Sequence, residues 1–213
     1  MPKSNRDKDV KIERAVAAFL DAHFYSKEAE AYNTHFERIT DKDLQIRGVD
    51  VVFGGNVKID EKAKVLNGML NTILQYPSVE MSFIDRSGRE QDGWFVRKVN
   101  LTDYYLFVAV FSPVIDPYEL TADNIVKLNL LFVKKSEIYE YLKEKNSNII
   151  DAARLLRKID YDNKIHFTHN EFHLKRTDFY AEKPINLVLR RDILKSFKSS
   201  REFLVQKGEI KKL

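Results

Sequence analysis

The stretch Gly48-Val49-Asp50-Val51-Val52-Phe53, followed by Gly54-Gly55-Asn56 and then by Val57-Lys58-Ile59-Asp60-Glu61-Lys62, decides how this chain folds. Apolar and polar residues alternate on both sides of the Gly-Gly-Asn break, the pattern of two half-buried strands joined by a tight hairpin loop. Pairing Phe53 with Val57 across the loop sets Val51 opposite Ile59 and Asp50 opposite Asp60. Opposed residues of an antiparallel pair lie about 5 Å apart at Cβ, where like charges destabilise. A divalent cation would remove that conflict. Because side chains alternate along a strand, Lys58, Asp60 and Lys62 share one face while Ile59, Glu61 and Ala63 take the other. One face therefore carries Asp50, Asp60 and Lys62 together.

Two carboxylates are hard oxygen ligands suited to Mg²⁺, an ion that keeps several waters and leaves room for substrate phosphate oxygens. A neighbouring lysine can orient or deprotonate a metal-bound water, or offset charge developing on a phosphate. The pattern Gly-Val-Asp50, hairpin, Ile-Asp60-Glu61-Lys62 resembles the active-site signature of the PD-(D/E)XK nuclease superfamily, whose fold is restriction-endonuclease-like. The resemblance covers the first half of the chain and implies a Mg²⁺- or Mn²⁺-dependent nuclease acting on nucleic acid, DNA above all. It makes Asp50 and Asp60 metal ligands and Lys62 the catalytic lysine, with Glu61 offering its backbone carbonyl to the metal. Val49 stands where the signature has proline. The alternative is that Asp60, Glu61 and Lys62 form a solvated strand end and Asp50 a turn residue.

Composition sets the surroundings. A chain of 213 residues, 44% hydrophobic and 32% charged, can bury a substantial core. It has no cysteine, which excludes disulfides and thiolate metal sites. The polar N-terminus has no signal-peptide core, and the longest apolar run, Tyr104 to Phe111, is too short to span a bilayer; a cytoplasmic protein without a membrane partner is expected. From Arg190 to Leu213 there are eight Lys or Arg against three acids, which exceeds the net +4 of the whole chain and leaves the rest near neutral. Arg190, Arg191 and Lys195 in this segment are candidate phosphate contacts; a solvated helical tail is the alternative.

Along the chain, residues 1–10 are expected to be disordered. Ile12, Val16, Phe19, Leu20 and Phe24 repeat at three and four and predict an amphipathic helix from Lys11 to Phe24, with Glu13 on the border of its apolar stripe. Some families of the resembled superfamily carry a metal-linked glutamate on their first helix, and Glu13 resembles it in position; otherwise it is a first-turn acid complementing the helix dipole. His35 to Ile39 reads as a first strand. Gln45 and Arg47, just before Asp50, are candidate contacts to a base and a phosphate, or ordinary surface residues. A crossover helix is expected from Ala63 to Leu74, strands from Val79 to Ile84 and from Gly93 to Val99, and a fully buried strand from Asp103 to Phe111. Glu80 could point at the metal or at solvent, and Trp94 could stack a base or simply pack.

Ser112-Pro-Val-Ile-Asp-Pro117 marks a boundary between a nuclease-like core (11–112) and a C-terminal α+β extension (113–213) that could pack with it as one domain. The extension should hold a strand ending near Val133, helices at Ser136–Lys145 and Ile149–Lys158 with Ser136 and Asn148 as caps, and a hairpin after Lys164. His166, His169 and His173 in that hairpin have no evident fourth ligand to make a zinc site. The overall expectation is an α/β (α+β) fold, a mixed central sheet flanked by helices. Its function would be a metal-dependent nuclease, with a catalytically inactive module that binds nucleic acid or a protein partner as the alternative, and a structural or assembly factor as the third.

Overall fold

The computed structural model describes residues 6–66, 74–85, 87–114, 116–145, 148–158, 165–168, 170–177 and 180–213. Its central strand is β6 (Tyr104–Phe111), in which every residue from Tyr105 onward is buried. A strand buried on both faces serves two cores, and the period-two alternation divides its side chains between them. Leu106, Val108 and Val110 point into one core; Tyr105, Phe107, Ala109 and Phe111 point into the other. Strand β7 (Lys127–Lys134) pairs antiparallel with β6 and divides in the same way, Leu128 and Leu130 to the first core and Leu131 and Val133 to the second.

Around β6 lies a mixed seven-stranded sheet in the order β1-β2-β3-β6-β7-β11-β12, with β1 at Phe36–Arg38, β2 at Val51–Phe53, β3 at Val57–Val65, β11 at Arg201–Gln206 and β12 at Glu209–Lys212. Strands β1, β2 and β3 form an antiparallel meander, and β3 runs parallel to β6 from Ile59 to Val65. The first core is covered by α1 (Arg6–Leu20), whose Ala15, Val16, Phe19 and Leu20 fall on one stripe. A π-helical turn at Asp21–Tyr25 joins it to α2 (Ser26–Ala31). The second core is closed by α4 (Lys135–Glu144), α5 (Ile149–Lys158) and a five-stranded sheet, β5-β4-β10-β9-β8. Its strands are β4 (Ser78–Ile84), β5 (Glu90–Asp92), β8 (Ile165–Thr168), β9 (Phe172–Arg176) and β10 (Ile185–Leu189). Two short helices complete the set, α3 (Lys42–Ile46) and α6 (Arg191–Lys195).

The α/β (α+β) class and the mixed sheet flanked by helices agree with the sequence expectation, and several elements differ from it. Residues 6–10, expected to be disordered, belong to α1, where Asp9 suits the positive end of the helix dipole. Of the crossover helix expected over 63–74, residues 63–65 belong to β3, because pairing with β6 overrides the helical spacing; residues 67–73 lie outside the described residues. The strand expected over Gly93–Val99 is replaced by the three-residue β5 and a turn in which the Val96 and Arg97 amides donate to the Gly93 carbonyl. Gly93 permits this, since a Cβ there would sit 2.4 Å from the Glu80 carbonyl oxygen. Ser136 does not cap α4, which starts after Lys134 without a side-chain cap, and the Asn148 amide donates to Asp151 instead of accepting from the backbone. The basic C-terminal segment is no helical tail: β11 pairs with β7, and β12 with β11. The strands on either side of Pro113–Pro117, β6 and β7, are hydrogen-bonded neighbours.

Candidate active site at the free edge of β3

The site starts from the hairpin register, which is the one the sequence predicts: Val51 opposite Ile59, Val52 opposite Lys58 and Phe53 opposite Val57. Gly48 sets the entry. It adopts φ +76°, and a Cβ on it would lie 2.3 Å from Asn100 Nδ2 and 2.8 Å from Thr102 Oγ1. The Thr102 hydroxyl donates to the Gly48 carbonyl at 2.6 Å. The bend delivers Asp50 to the end of β2, where its amide donates to the Ile59 carbonyl at 2.9 Å and its Oδ2 accepts from the Glu61 amide at 2.8 Å. The Asp50 carboxylate thus continues the ladder past the end of the short strand β2, beyond which β3 has no strand partner on that side among the described residues.

Glu61 is held on the opposite face from Asp60 and Lys62. Its carboxylate accepts from the Tyr25 hydroxyl at 2.9 Å and from Arg38 Nη1 at 2.6 Å, and Arg38 also pairs with Asp21 at 2.5 Å. Asp21 and Tyr25 are the two ends of the π-helical turn, which turns both toward Arg38. The anchored Glu61 side chain pins the pleat, so Asp60 and Lys62 must face the second core.

There Asp60 is 2% exposed, on the strand position beside Tyr105 of β6. Its Oδ1 lies 2.5 Å from Lys62 Nζ, and its Oδ2 is buried with no hydrogen-bond partner among the described residues. Burial pushes the Asp60 carboxyl up to about 7, against the pull of Lys62, with the charge of Asp50 adding to the rise. Burial also lowers the proton affinity of Lys62, but the Asp60 and Asp50 carboxylates outweigh it and hold the ammonium above its ordinary range. Glu13 on α1 is raised by burial and by Asp50, and Lys62 opposes the rise. Glu80 on β4 is raised to about 7 by burial, again opposed by Lys62, and its Oε1 is buried without a partner among the described residues.

Glu13, Lys62 and Glu80 line one cleft of about 340 Å³ between the start of α1, the edge of β3 and the face of β4. Behind Asp60 lie groups that the sequence does not single out. Lys135 donates to Asn100 Oδ1 at 2.5 Å, and burial lowers its ammonium to about 8, with Asp60 opposing. The Tyr105 hydroxyl and Asn100 Nδ2 are buried without partners among the described residues. Lys135 is brought there by the antiparallel β6–β7 pair, which places the end of β7 beside the start of β6, a contact across some thirty residues that no local pattern signals.

The remaining candidates fall elsewhere. Gln45 is exposed and its amide donates to the Ile39 carbonyl, while exposed Arg47 donates to the Val99 carbonyl. Arg191 is 4% exposed and bonded to Asn129 and Glu202, so its guanidinium cannot meet a phosphate. Lys195 pairs with Glu202 at 2.5 Å, and exposed Arg190 pairs with Asp192. None of these five lines the cleft. His173 is half-buried on β9 beside Tyr76; the side chain of His166, and all of His169, lie outside the described residues.

The donors suit a hard divalent cation of low protein coordination. Among the described residues no three His, Asp or Glu side chains form a group that could hold an ion alone. A metal here would take Asp50 and Asp60, with the Glu61 carbonyl, water and phosphate oxygens filling its shell, the pattern that Mg²⁺ prefers. The unpartnered Asp60 Oδ2 fits that role. Comparison with protein-family models, with curated proteins and with solved structures gives no match, so the reading of the site rests on its own residues. Among the described residues, no helix is long and apolar enough to cross a membrane.

Proposed function

We propose that this protein is a metal-dependent nuclease that hydrolyses phosphodiester bonds, DNA foremost. The observation that carries the reading is the contact of Asp60 with Lys62, within electrostatic reach of the Asp50 carboxylate held by the Glu61 amide, with a buried Asp60 oxygen that lacks a partner among the described residues. Mg²⁺ bound there would supply Lewis-acid polarisation of the phosphate and lower the pKa of a bound water. Asp50 and Asp60 would hold that ion, and Asp50 is fixed in place by the Glu61 amide. Lys62, protonated beside two carboxylates, donates to a non-bridging phosphate oxygen and offsets the charge that grows on it. Water oxygen bonds to phosphorus, the ester P–O bond breaks, and the water proton ends on the leaving oxygen. Glu13 and Glu80 flank the site and attract the cation.

The test is cleavage of fluorescently labelled DNA with Mg²⁺ or Mn²⁺, set against EDTA. Loss of cleavage in Asp60→Ala and in Lys62→Ala is expected; cleavage that survives both substitutions overturns the reading. Salt-sensitive binding without cleavage under either metal would instead support the inactive module.

A further inference from the structure

The cleft that holds Lys62 also determines what can reach it. Lys62 is 28% exposed at its side chain and Asp60 only 3%, so a scissile phosphate must enter the cleft. The aromatic side chains that line the cleft can be stacked only by bases whose faces are free, which an unpaired strand offers and the interior of a duplex does not. The cleft carries two aromatic side chains, Tyr76, 58% exposed, and Trp94, half-buried. Trp94 is seated by the close approach of Gly93 to β4, and the Arg97 guanidinium lies over its ring, 4.8 Å from the centroid. Lys62, paired with Asp60, and exposed Lys64 share a face of β3, about 7 Å apart along the strand, and can meet a sugar–phosphate backbone once a cation offsets the acids Asp9, Glu13 and Glu80 that also line the cleft.

We propose that this cleft admits one unpaired nucleic-acid strand, with bases stacked on Trp94 and Tyr76 and the backbone along Lys62 and Lys64, so that the protein binds single-stranded ends or gaps in preference to duplex. The proposal rests on the nuclease reading and is tested separately from it. Trp94 is the only tryptophan of the chain, so its fluorescence reports this cleft alone. The wild-type protein, kept from cleaving by EDTA, is titrated with a short oligothymidylate and with the same strand annealed to its complement. Saturable quenching by the single strand is expected, with binding at least about tenfold tighter than for the duplex. Tyr76→Ala should weaken it about tenfold, in line with the value of base stacking on an aromatic ring. Trp94→Phe, followed by anisotropy of a labelled strand, should keep binding, and Trp94→Ala should weaken it about tenfold.

Equal or tighter duplex binding, or a strand that binds by anisotropy while Trp94 stays unquenched, overturns the proposal. Duplex cleavage by the wild-type protein with a silent Trp94 would leave the nuclease standing and remove this inference. Quenching by the single strand with no cleavage would do the reverse.

Discussion

Replacing Asp60 with asparagine separates a strained metal ligand from a structural ion pair. Carrying the Asp60 carboxyl from its ordinary 3.8 up to about 7 corresponds to a native-state cost of about 4 kcal/mol for the ionised form above pH 7. Asparagine keeps the shape and removes the charge. That net cost already includes the pull of Lys62, whose partly exposed ammonium can hydrate once the carboxylate is gone. Without metal at pH 8, Asp60→Asn should therefore be more stable than wild type, by up to about 4 kcal/mol. Urea unfolding in EDTA measures the difference. Saturating Mg²⁺ should narrow the difference, since a ligand at a hundred times its Kd stabilises only the protein that binds it, by about 2.7 kcal/mol. If Asp60→Asn is less stable by 2 kcal/mol or more in EDTA, the Asp60–Lys62 pair is a structural ion pair and the argument for a ligand poised for metal fails.

The pH dependence of the metal-free protein follows from the same groups. The folded values of Asp60 and Glu80 are raised to about 7, so their contribution to stability is fully present below about pH 4 and lost as the pH rises through about 7; thermal melts in EDTA should fall from pH 5 to pH 8, and Mg²⁺ should flatten the decline. Arg38→Met leaves the Glu61 carboxylate with the Tyr25 hydroxyl alone and should cost about 3–5 kcal/mol in urea unfolding, the usual penalty for stranding one partner of a buried pair. Glu202→Ala strands buried Arg191 in the same way and should cost a similar amount while leaving DNA binding intact, read by unfolding and by a filter-binding assay. Gly48→Ala forces a side chain onto Asn100 and Thr102 at positive φ; it should lower Mg²⁺ affinity by displacing Asp50, measured by calorimetric titration.

The site was legible in the sequence to the extent that it is local. The spacing of the hairpin, its Gly-Gly-Asn loop and the period-two alternation specify the register and place Asp60 and Lys62 on one face, since those properties are set within fifteen residues. The all-apolar run at Tyr104–Phe111 likewise announced a central strand, because only a strand covered on both faces needs no polar side. The basic C-terminal segment misled: its charge count is real, but Arg191 and Lys195 are consumed by Glu202 on β11, a pairing set by the order of strands and not by composition.

What the sequence by itself determined is therefore the hairpin, its register and the central strand. Which face is wet and which acid is stranded were decided by the tertiary structure. Glu61 and Asp60 are adjacent acids in the chain, yet one is satisfied by Arg38 and Tyr25 from elements 23 and 36 residues away, and the other is buried beside Tyr105 with an oxygen that has no partner among the described residues. Burial and the arrival of distant partners fix the cost of a charge, and a linear pattern carries neither.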